Sequence, residues 1–152
     1  MTSGHRRTLE LYFIFSYGLV LLNLLPLLRW AGLGTLARVF EVMAALSYPA
    51  LYLIPALLVT LLVARLWRAR AAAIAVSAVV MVSLVQIFLF ADRIVFSMFD
   101  FHLNGFVWNL VMTRGGLASM GASPASSATF AAMASLLVVM QAGAWWTARR
   151  LT

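Results

Sequence analysis

Long apolar runs alternate with short polar segments along the chain. The apolar runs cover residues 11–28, 42–64, 71–91 and 125–148. Each run is close to or above the roughly 20 residues that an α-helix needs to cross the hydrocarbon core of a bilayer. The apolar positions are continuous rather than alternating, so they do not fit the strands of an outer-membrane β-barrel. The pattern predicts an all-α, polytopic membrane helix bundle with about four transmembrane helices, in a single domain over residues 1–152.

Composition indicates that lipid, rather than water, surrounds most of the chain. Hydrophobic residues make up 64% of the sequence and charged residues 10%, whereas a soluble domain is about half apolar and a quarter charged. Cysteine is absent, which excludes a disulfide framework, a thiolate metal site and a cysteine nucleophile. All eleven basic residues are arginine, and the net charge of +7 suits anionic lipid head groups. No segment resembles a nucleic-acid-binding module.

The arginines at the ends of the runs predict an orientation. The first run follows Arg6 and Arg7 as a signal peptide would, but it is long and no small-residue cleavage site follows, so we interpret it as a retained helix. With a cytoplasmic N-terminus, seven arginines lie inside and four outside, as the positive-inside rule requires. The seven inside are Arg6, Arg7, Arg65, Arg68, Arg70, Arg149 and Arg150. Both termini are then cytoplasmic, and residues 92–124 are exterior.

Polar and small residues within the apolar runs predict contacts between helices. Asn23, Gln86 and Gln141 are amides at membrane depth, where their usual role is hydrogen bonding to a neighbouring helix. Pro49 and Pro55 predict a kinked second helix rather than a re-entrant loop. No series of intramembrane carboxylates is present, which disfavours a proton-coupled transporter. The last run also has a small-residue face that predicts close helix packing, formed by Ala128, Ala131, Ala132 and Ser135.

No recognisable catalytic or metal-binding motif occurs in the chain. The four acids are Glu10, Glu41, Asp92 and Asp100, and there is no HExxH motif, Walker loop or nucleophile elbow. A metal site needs three or four converging ligands. Asp100 and His102 are two residues apart, which on a helix points them away from each other, and Asp92 is not expected to join them. The sequence therefore predicts no enzyme activity, no metal and no cofactor for this chain.

Residues 92–124 form a polar and aromatic segment, here called the island, between the third and fourth runs. Apolar positions from Arg93 to Met112 follow helical spacing, which predicts an amphipathic helix that continues the third span and breaks at Asn104-Gly105. The following RGGLASMGAS is predicted to be a flexible connection. In the simplest interpretation, the island is an interfacial helix with its aromatic residues at head-group level.

A sharper interpretation makes the island a groove for a lipid head group or a protein partner. One of its two arginines would pair with a phosphate, its tryptophan would form an interfacial wall, and its imidazole and amides would supply neutral hydrogen bonds. The candidate contact residues are Arg93, His102, Asn104, Trp108, Asn109 and Arg114.

Part of the island resembles a known class of membrane domain. FDFHLNGFVWNLV followed by TRGGLASMGAS is similar to the domain that opens certain bacterial inner-membrane sulfatase-like proteins, relatives of lipoteichoic acid synthases and of phosphoglycerol or phosphoethanolamine transferases. The matching features are aromatic-His-x-Asn, Val-Trp-Asn and Gly-Gly-x-x-Ser-Met-Gly. The resemblance implies the bacterial inner membrane and a role in the cell envelope.

The chain also departs from that class. Such proteins look like five membrane helices followed by a periplasmic domain of the alkaline-phosphatase type, which carries the catalytic residues. The runs here predict four spans, so we expect the chain to lack a following span and a sulfatase-like domain. No catalytic residue can be carried over from the resemblance.

These observations lead to two functional hypotheses. The first is a non-catalytic membrane-anchoring domain that positions a periplasmic domain near lipid and contacts lipid head groups or regulatory membrane partners. The second is a complete small integral membrane protein that acts as a subunit of a larger complex. A small transporter is a distant third, because no charged pathway is visible.

Overall fold

The computed structural model describes residues 3–28, 34–67, 70–119, 121 and 123–152. All regular structure in these residues is helical. The helices are α1 (Ser3–Leu24, followed by a 3₁₀ turn at Leu25–Leu27), α2 (Thr35–Leu66), α3 (Ala71–Phe99), α4 (Gly105–Met112), α5 (Gly116–Ser119) and α6 (Pro124–Arg150). Four of them, α1, α2, α3 and α6, are long and apolar enough to cross a membrane. The predicted all-α bundle of four candidate membrane helices is therefore confirmed, and it indicates a multi-pass membrane protein.

Local chemistry explains where α6 begins. The Ser123 hydroxyl accepts a hydrogen bond from the Ser126 N–H at 3.1 Å, and the Ser126 hydroxyl accepts one from the Ser123 N–H at 2.8 Å. Pro124 occupies the first helical position, where its missing N–H is not needed. The pair Ser123-Pro124 by itself predicts an N-cap followed by a proline at the first helical position, and this capping box confirms that prediction. By contrast, Pro49 and Pro55 do not interrupt α2, which is continuous through both, so neither opens a re-entrant loop.

Helices α1 and α3 form the centre of the bundle, because each of them contacts the other three long helices. Small side chains such as Ala56 and Ala78 are fully buried and allow the helices to approach closely. Large apolar side chains cover the outside of the bundle, as expected where the surrounding solvent is lipid. The buried hydrophobic cluster comprises Leu9, Tyr12, Val20, Leu53, Ala56, Ala64, Ile74, Ala78, Val82, Leu89 and Ala148.

Buried polar side chains join α1 to α3 and α6. The Tyr12 hydroxyl and the Ser16 hydroxyl both donate to the Gln141 Oε1 atom, each at 3.0 Å. Further along α1, the Asn23 Nδ2 atom donates to the Gln86 side-chain oxygen at 3.0 Å and to its backbone carbonyl at 3.1 Å. All five side chains are buried. The prediction that the three amides make hydrogen bonds between helices is confirmed.

The N-terminal part of α6 is largely uncovered. Within this helix only Gln141 and Ala148 are buried, and both lie towards its C-terminal end. Phe130 stacks on Phe90 of α3, with ring centroids 5.6 Å apart. The small-residue face that predicts close helix packing is not covered by the other helices of this chain, since all four of its residues are exposed, namely Ala128, Ala131, Ala132 and Ser135.

The island is not the single helix that its periodicity predicts. Helix α3 ends at Phe99, and Asp100 adopts the left-handed conformation with φ of 56°. Asp is one of the few non-glycine residues that tolerate this conformation, because its short polar side chain can bond locally. The predicted amphipathic helix from Arg93 to Met112 is therefore interrupted over residues 100–104, and its break begins at Asp100 rather than at the predicted Asn104-Gly105.

Asn104 starts a new helix instead of ending the previous one. Its Oδ1 atom accepts hydrogen bonds from the N–H groups of Phe106 at 2.9 Å and Val107 at 3.2 Å. An asparagine in this position satisfies backbone donors that the first turn of a helix leaves free. The local bond competes with continuation of α3, which is why helical spacing alone misplaced the break.

Candidate functional site

A large groove is bounded by α2, α3, α4 and α6 at the end of the bundle where α3 stops and α6 starts, here called the island end. Its volume is about 1530 Å³, above the roughly 300–1,000 Å³ of a typical small-molecule pocket. The α3 wall extends from Met81 to Phe99, a length of about 27 Å at 1.5 Å per residue. The groove is therefore nearly as long as a bilayer hydrocarbon core is thick, about 30 Å.

The lining of this groove is almost entirely apolar. Among the described residues that form its walls none is charged. The polar side chains among its described lining residues are Tyr52 of α2, Asn104 and Trp108 at α4, and Ser126, Ser127 and Thr129 near the start of α6. The Ser126 and Thr129 hydroxyls already donate to the backbone carbonyls of Ser123 and Ala125, so neither is free to donate to a ligand. An apolar trough with neutral hydrogen-bonding groups at one end matches the chemistry of a lipid, whose chains are apolar and whose ester region accepts hydrogen bonds.

Helix α4 supplies two of the predicted contact residues to the groove. Asn104 and Trp108 both line it, and Trp108 remains 63% exposed. Val107, which lies between them in the sequence, is only 2% exposed. Its burial holds the face of α4 that carries these residues against the bundle. The Asn104 side-chain oxygen is already engaged by the α4 backbone, so its remaining hydrogen-bonding capacity towards a ligand is its amide NH₂ group.

A carboxylate on α3 holds the turn that leads to α4. The Asp92 Oδ1 atom accepts a hydrogen bond from the Leu103 N–H at 2.6 Å, and its Oδ2 atom lies 2.7 Å from the His102 Nδ1 atom. The Asp92 side chain is 15% exposed and that of His102 is 63% exposed. The His102 ring stacks on Phe96, with centroids 4.6 Å apart. We call this arrangement of Asp92, His102 and Leu103 the Asp92 clasp.

The Asp92 clasp corrects the expectation that Asp92 would not join His102. The left-handed Asp100 reverses the chain after α3, so a residue ten positions later returns alongside Asp92. Sequence spacing on an assumed continuous helix could not reveal this contact. His102 thus holds the turn in place and does not line the groove.

Arg93 faces α1 and not the groove. Its Nη1 atom donates to the Asn23 backbone carbonyl at 3.1 Å, and its guanidinium carbon lies 5.1 Å from the centroid of the Phe90 ring. Arg93 lines a separate cleft of about 290 Å³ formed with Pro26, Leu27, Ile94, Phe96 and Ser97. The structure therefore separates Arg93 from Asn104 and Trp108.

Asn109 and Arg114 lie on the exposed side of the island. Neither lines the groove or the Arg93 cleft, and both are exposed. After Arg114 the chain turns at Gly115, which has φ of +80°, and a Cβ atom on Gly116 would overlap the Leu110 carbonyl. The predicted flexible connection thus contains a tight glycine turn and the short helix α5.

Sequence reasoning missed two groups of residues at this end of the bundle. The first is the acid Asp92, whose only sequence signal is its rarity in an apolar chain. The second is the set of apolar α3 and α6 side chains that shape the groove, including Phe90 and Phe130. Within the described ranges, no group of three or more His, Cys, Asp or Glu side chains could hold a metal ion.

Comparison with known proteins yields one family match. The model of the family described as "Domain of unknown function (DUF3413)" matches residues 8–152. No curated protein and no solved structure gives a significant match. The matched range includes the first candidate membrane helix from residue 8 onward, the other three in full, and the island.

Proposed function

We propose that this chain, which belongs to the DUF3413 family, is a non-catalytic membrane-anchoring domain that holds lipid at its island end. The observation that carries the proposal is the uncharged groove, with its apolar trough and its neutral polar groups at one end. A groove with apolar walls and no charge among its described lining residues accommodates acyl chains. The island then acts as the surface through which the domain meets lipid.

We further propose that the anchored protein is a sulfatase-like envelope protein of the bacterial inner membrane. The support is the resemblance of FDFHLNGFVWNLV and TRGGLASMGAS to the membrane domains of that class. In this proposal the bundle positions a periplasmic domain close to lipid, and the island faces the periplasm. The groove provides the lipid contact that such positioning needs.

The helix ends support a cytoplasmic N-terminus. The Thr8 and Thr152 hydroxyls are 2.7 Å apart, so the two ends of the described chain lie together, opposite the island. Arginines from the beginnings or ends of all four long helices cluster at the same end, among them Arg6, Arg65 and Arg149. Such clustering is typical of the cytoplasmic side of a membrane protein.

Labelling of single-cysteine variants in intact cells tests this orientation, and the chain has no native cysteine to interfere. We expect cysteine at Thr35 or Ser119 to react with an impermeant maleimide, and cysteine at Arg70 or Thr152 to react only after the membrane is permeabilised. Labelling of Arg70→Cys from outside would show that the orientation is the reverse of the proposed one. Labelling of Thr152→Cys from outside together with protection of Arg70→Cys would contradict the four-span topology.

Filling the groove tests the lipid proposal. Ala91 lines the groove, and Ala128 is exposed on α6 without lining it, so the two positions give a matched pair for a bulky substitution. We expect Ala91→Trp to reduce the lipid retained in native mass spectrometry about fivefold relative to Ala128→Trp, a loss of about 1 kcal/mol. Equal retention by the two folded variants would remove the groove from the proposed function.

A second candidate is a subunit of a larger membrane complex, and the exposed face of α6 favours it. That face is rich in small side chains, which allow close approach of another helix in a membrane. Purification in mild detergent distinguishes the candidates, because a stoichiometric unrelated membrane protein that protects α6 from labelling would support the subunit hypothesis. Purification without such a protein would favour the anchoring domain.

A further inference from the structure

Among the described residues, Arg93 has no acidic partner within ion-pair distance. Its side chain is half-buried, and in the described portion of the chain the ion pairs are Arg6 with Glu10 and Asp92 with His102. A guanidinium has five N–H donors, and the hydrogen bond that Arg93 makes goes to the Asn23 carbonyl. The described residues therefore leave four of these donors for an anion. A partly desolvated cation is stabilised by an opposite charge close by.

The cleft beside Arg93 is suited to an anion. It has a volume of about 290 Å³, and none of the described residues that line it is acidic. Phe90 packs under one face of the guanidinium and limits its motion, which pre-organises the planar fork that recognises phosphate oxygens in a bidentate way. Pro26, Leu27 and Ile94 supply apolar walls to the same cleft.

The position of Arg93 along α3 corresponds to the phosphate layer of a bilayer. Arg93 follows Ala71, the first residue of α3, by 22 residues, which is about 33 Å at 1.5 Å per residue. A hydrocarbon core is about 30 Å thick. With the start of α3 at one membrane surface, the guanidinium therefore lies at the other surface, where lipid phosphates lie.

We propose that the cleft formed by Arg93, Ser97 and the 3₁₀ turn after α1 binds the phosphate of a membrane phospholipid. This site is distinct from the groove, because the two share only Ile94 among their described lining residues. The inference shares with the proposed function the membrane placement of α3, but it does not depend on a lipid in the groove. It also assigns the phosphate contact to the junction of α1 and α3 rather than to α4.

Ser97 allows a test that leaves Arg93 unchanged. Its side chain is exposed at the cleft, so Ser97→Glu and Ser97→Gln have the same bulk and differ only in charge. In nanodiscs that contain phosphatidylglycerol and a galactosyl diacylglycerol with the same chains, we expect Ser97→Glu to retain about tenfold less phosphatidylglycerol than Ser97→Gln. Retention of the galactolipid should be the same in both variants.

Arg93→Lys provides a second measure, because lysine keeps the charge but not the planar fork. We expect it to lower phosphatidylglycerol retention severalfold, while its unfolding temperature in detergent stays close to that of the unaltered protein. Equal phosphatidylglycerol retention by Ser97→Glu and Ser97→Gln would overturn the proposal, as would parallel loss of both lipids. Displacement of the bound lipid by millimolar inorganic phosphate would overturn the lipid assignment in favour of a soluble phosphate.

The two lipid proposals fail independently. If Ala91→Trp lowers lipid retention and Ser97→Glu does not, the groove stands and the Arg93 site falls. If only Ser97→Glu has an effect, the phosphate site stands and the groove has another occupant or none.

Discussion

Gln141→Leu is expected to destabilise the helix bundle by about 1–3 kcal/mol. The Gln141 side-chain oxygen accepts hydrogen bonds from Tyr12 and Ser16, both at 3.0 Å, and Gln141 is 1% exposed. Leucine has a similar volume but leaves both hydroxyls without this acceptor in a site that water does not reach. Hydrogen bonds between membrane helices contribute about 0.6 kcal/mol on average and up to about 1.7 kcal/mol. The loss should appear as a lower midpoint in detergent-induced unfolding.

The rest of the hydrogen-bond set provides the controls. Ser135→Ala removes a hydroxyl from an exposed position on the same helix and should change stability by less than about 0.5 kcal/mol. Tyr12→Phe removes one donor to Gln141, so its effect and that of Gln141→Leu should not add in the double variant. Additive effects, or a Gln141→Leu variant as stable as Ser135→Ala, would show that this junction does not hold α1 to α6.

Asp92→Ala is expected to release the turn between α3 and α4 without unfolding the bundle. The carboxylate accepts the Leu103 N–H at 2.6 Å and contacts His102 at 2.7 Å, and hydrogen bonds to charged groups contribute about 1.5–3 kcal/mol. A loss of about 2 kcal/mol in local stability corresponds to roughly thirtyfold faster amide exchange. Hydrogen-exchange mass spectrometry should show the increase in peptides that cover residues 101–112 and not in α1.

His102→Ala separates the two contacts of the Asp92 clasp. This substitution keeps the hydrogen bond from the Leu103 N–H to Asp92 and removes the contact between Asp92 and His102. The His102 side chain is 63% exposed. Exposed ion pairs contribute about 0–1 kcal/mol, so exchange should increase at most about fivefold. Equally fast exchange in Asp92→Ala and His102→Ala would show that the His102 contact, rather than the bond from the Leu103 N–H, stabilises the turn. Faster exchange in α1 as well would indicate that Asp92 stabilises the whole bundle.

Several contacts at the island end could be identified only from the folded structure and not from the sequence. Nothing in the spacing of Asp92 and His102 predicts their contact, because the contact depends on the reversal at Asp100. Arg93 and Trp108 belong to the same polar segment of the sequence, yet they line different cavities. The direction in which a side chain points depends on where its helix begins and ends. A local cap such as Asn104 determines the helix boundary more strongly than helical periodicity does.

The sequence by itself determined the all-α class, four candidate membrane helices and the start of α6, because apolar length and capping chemistry are local properties of the chain. It also identified Asn23, Gln86 and Gln141 as residues that bond between helices, since a buried amide must find a polar partner. Only the tertiary structure decided which helices those amides join. It alone showed the groove and the Arg93 cleft, because each brings together residues from elements far apart in sequence, and the Asp92 clasp, because that contact depends on the backbone reversal at Asp100.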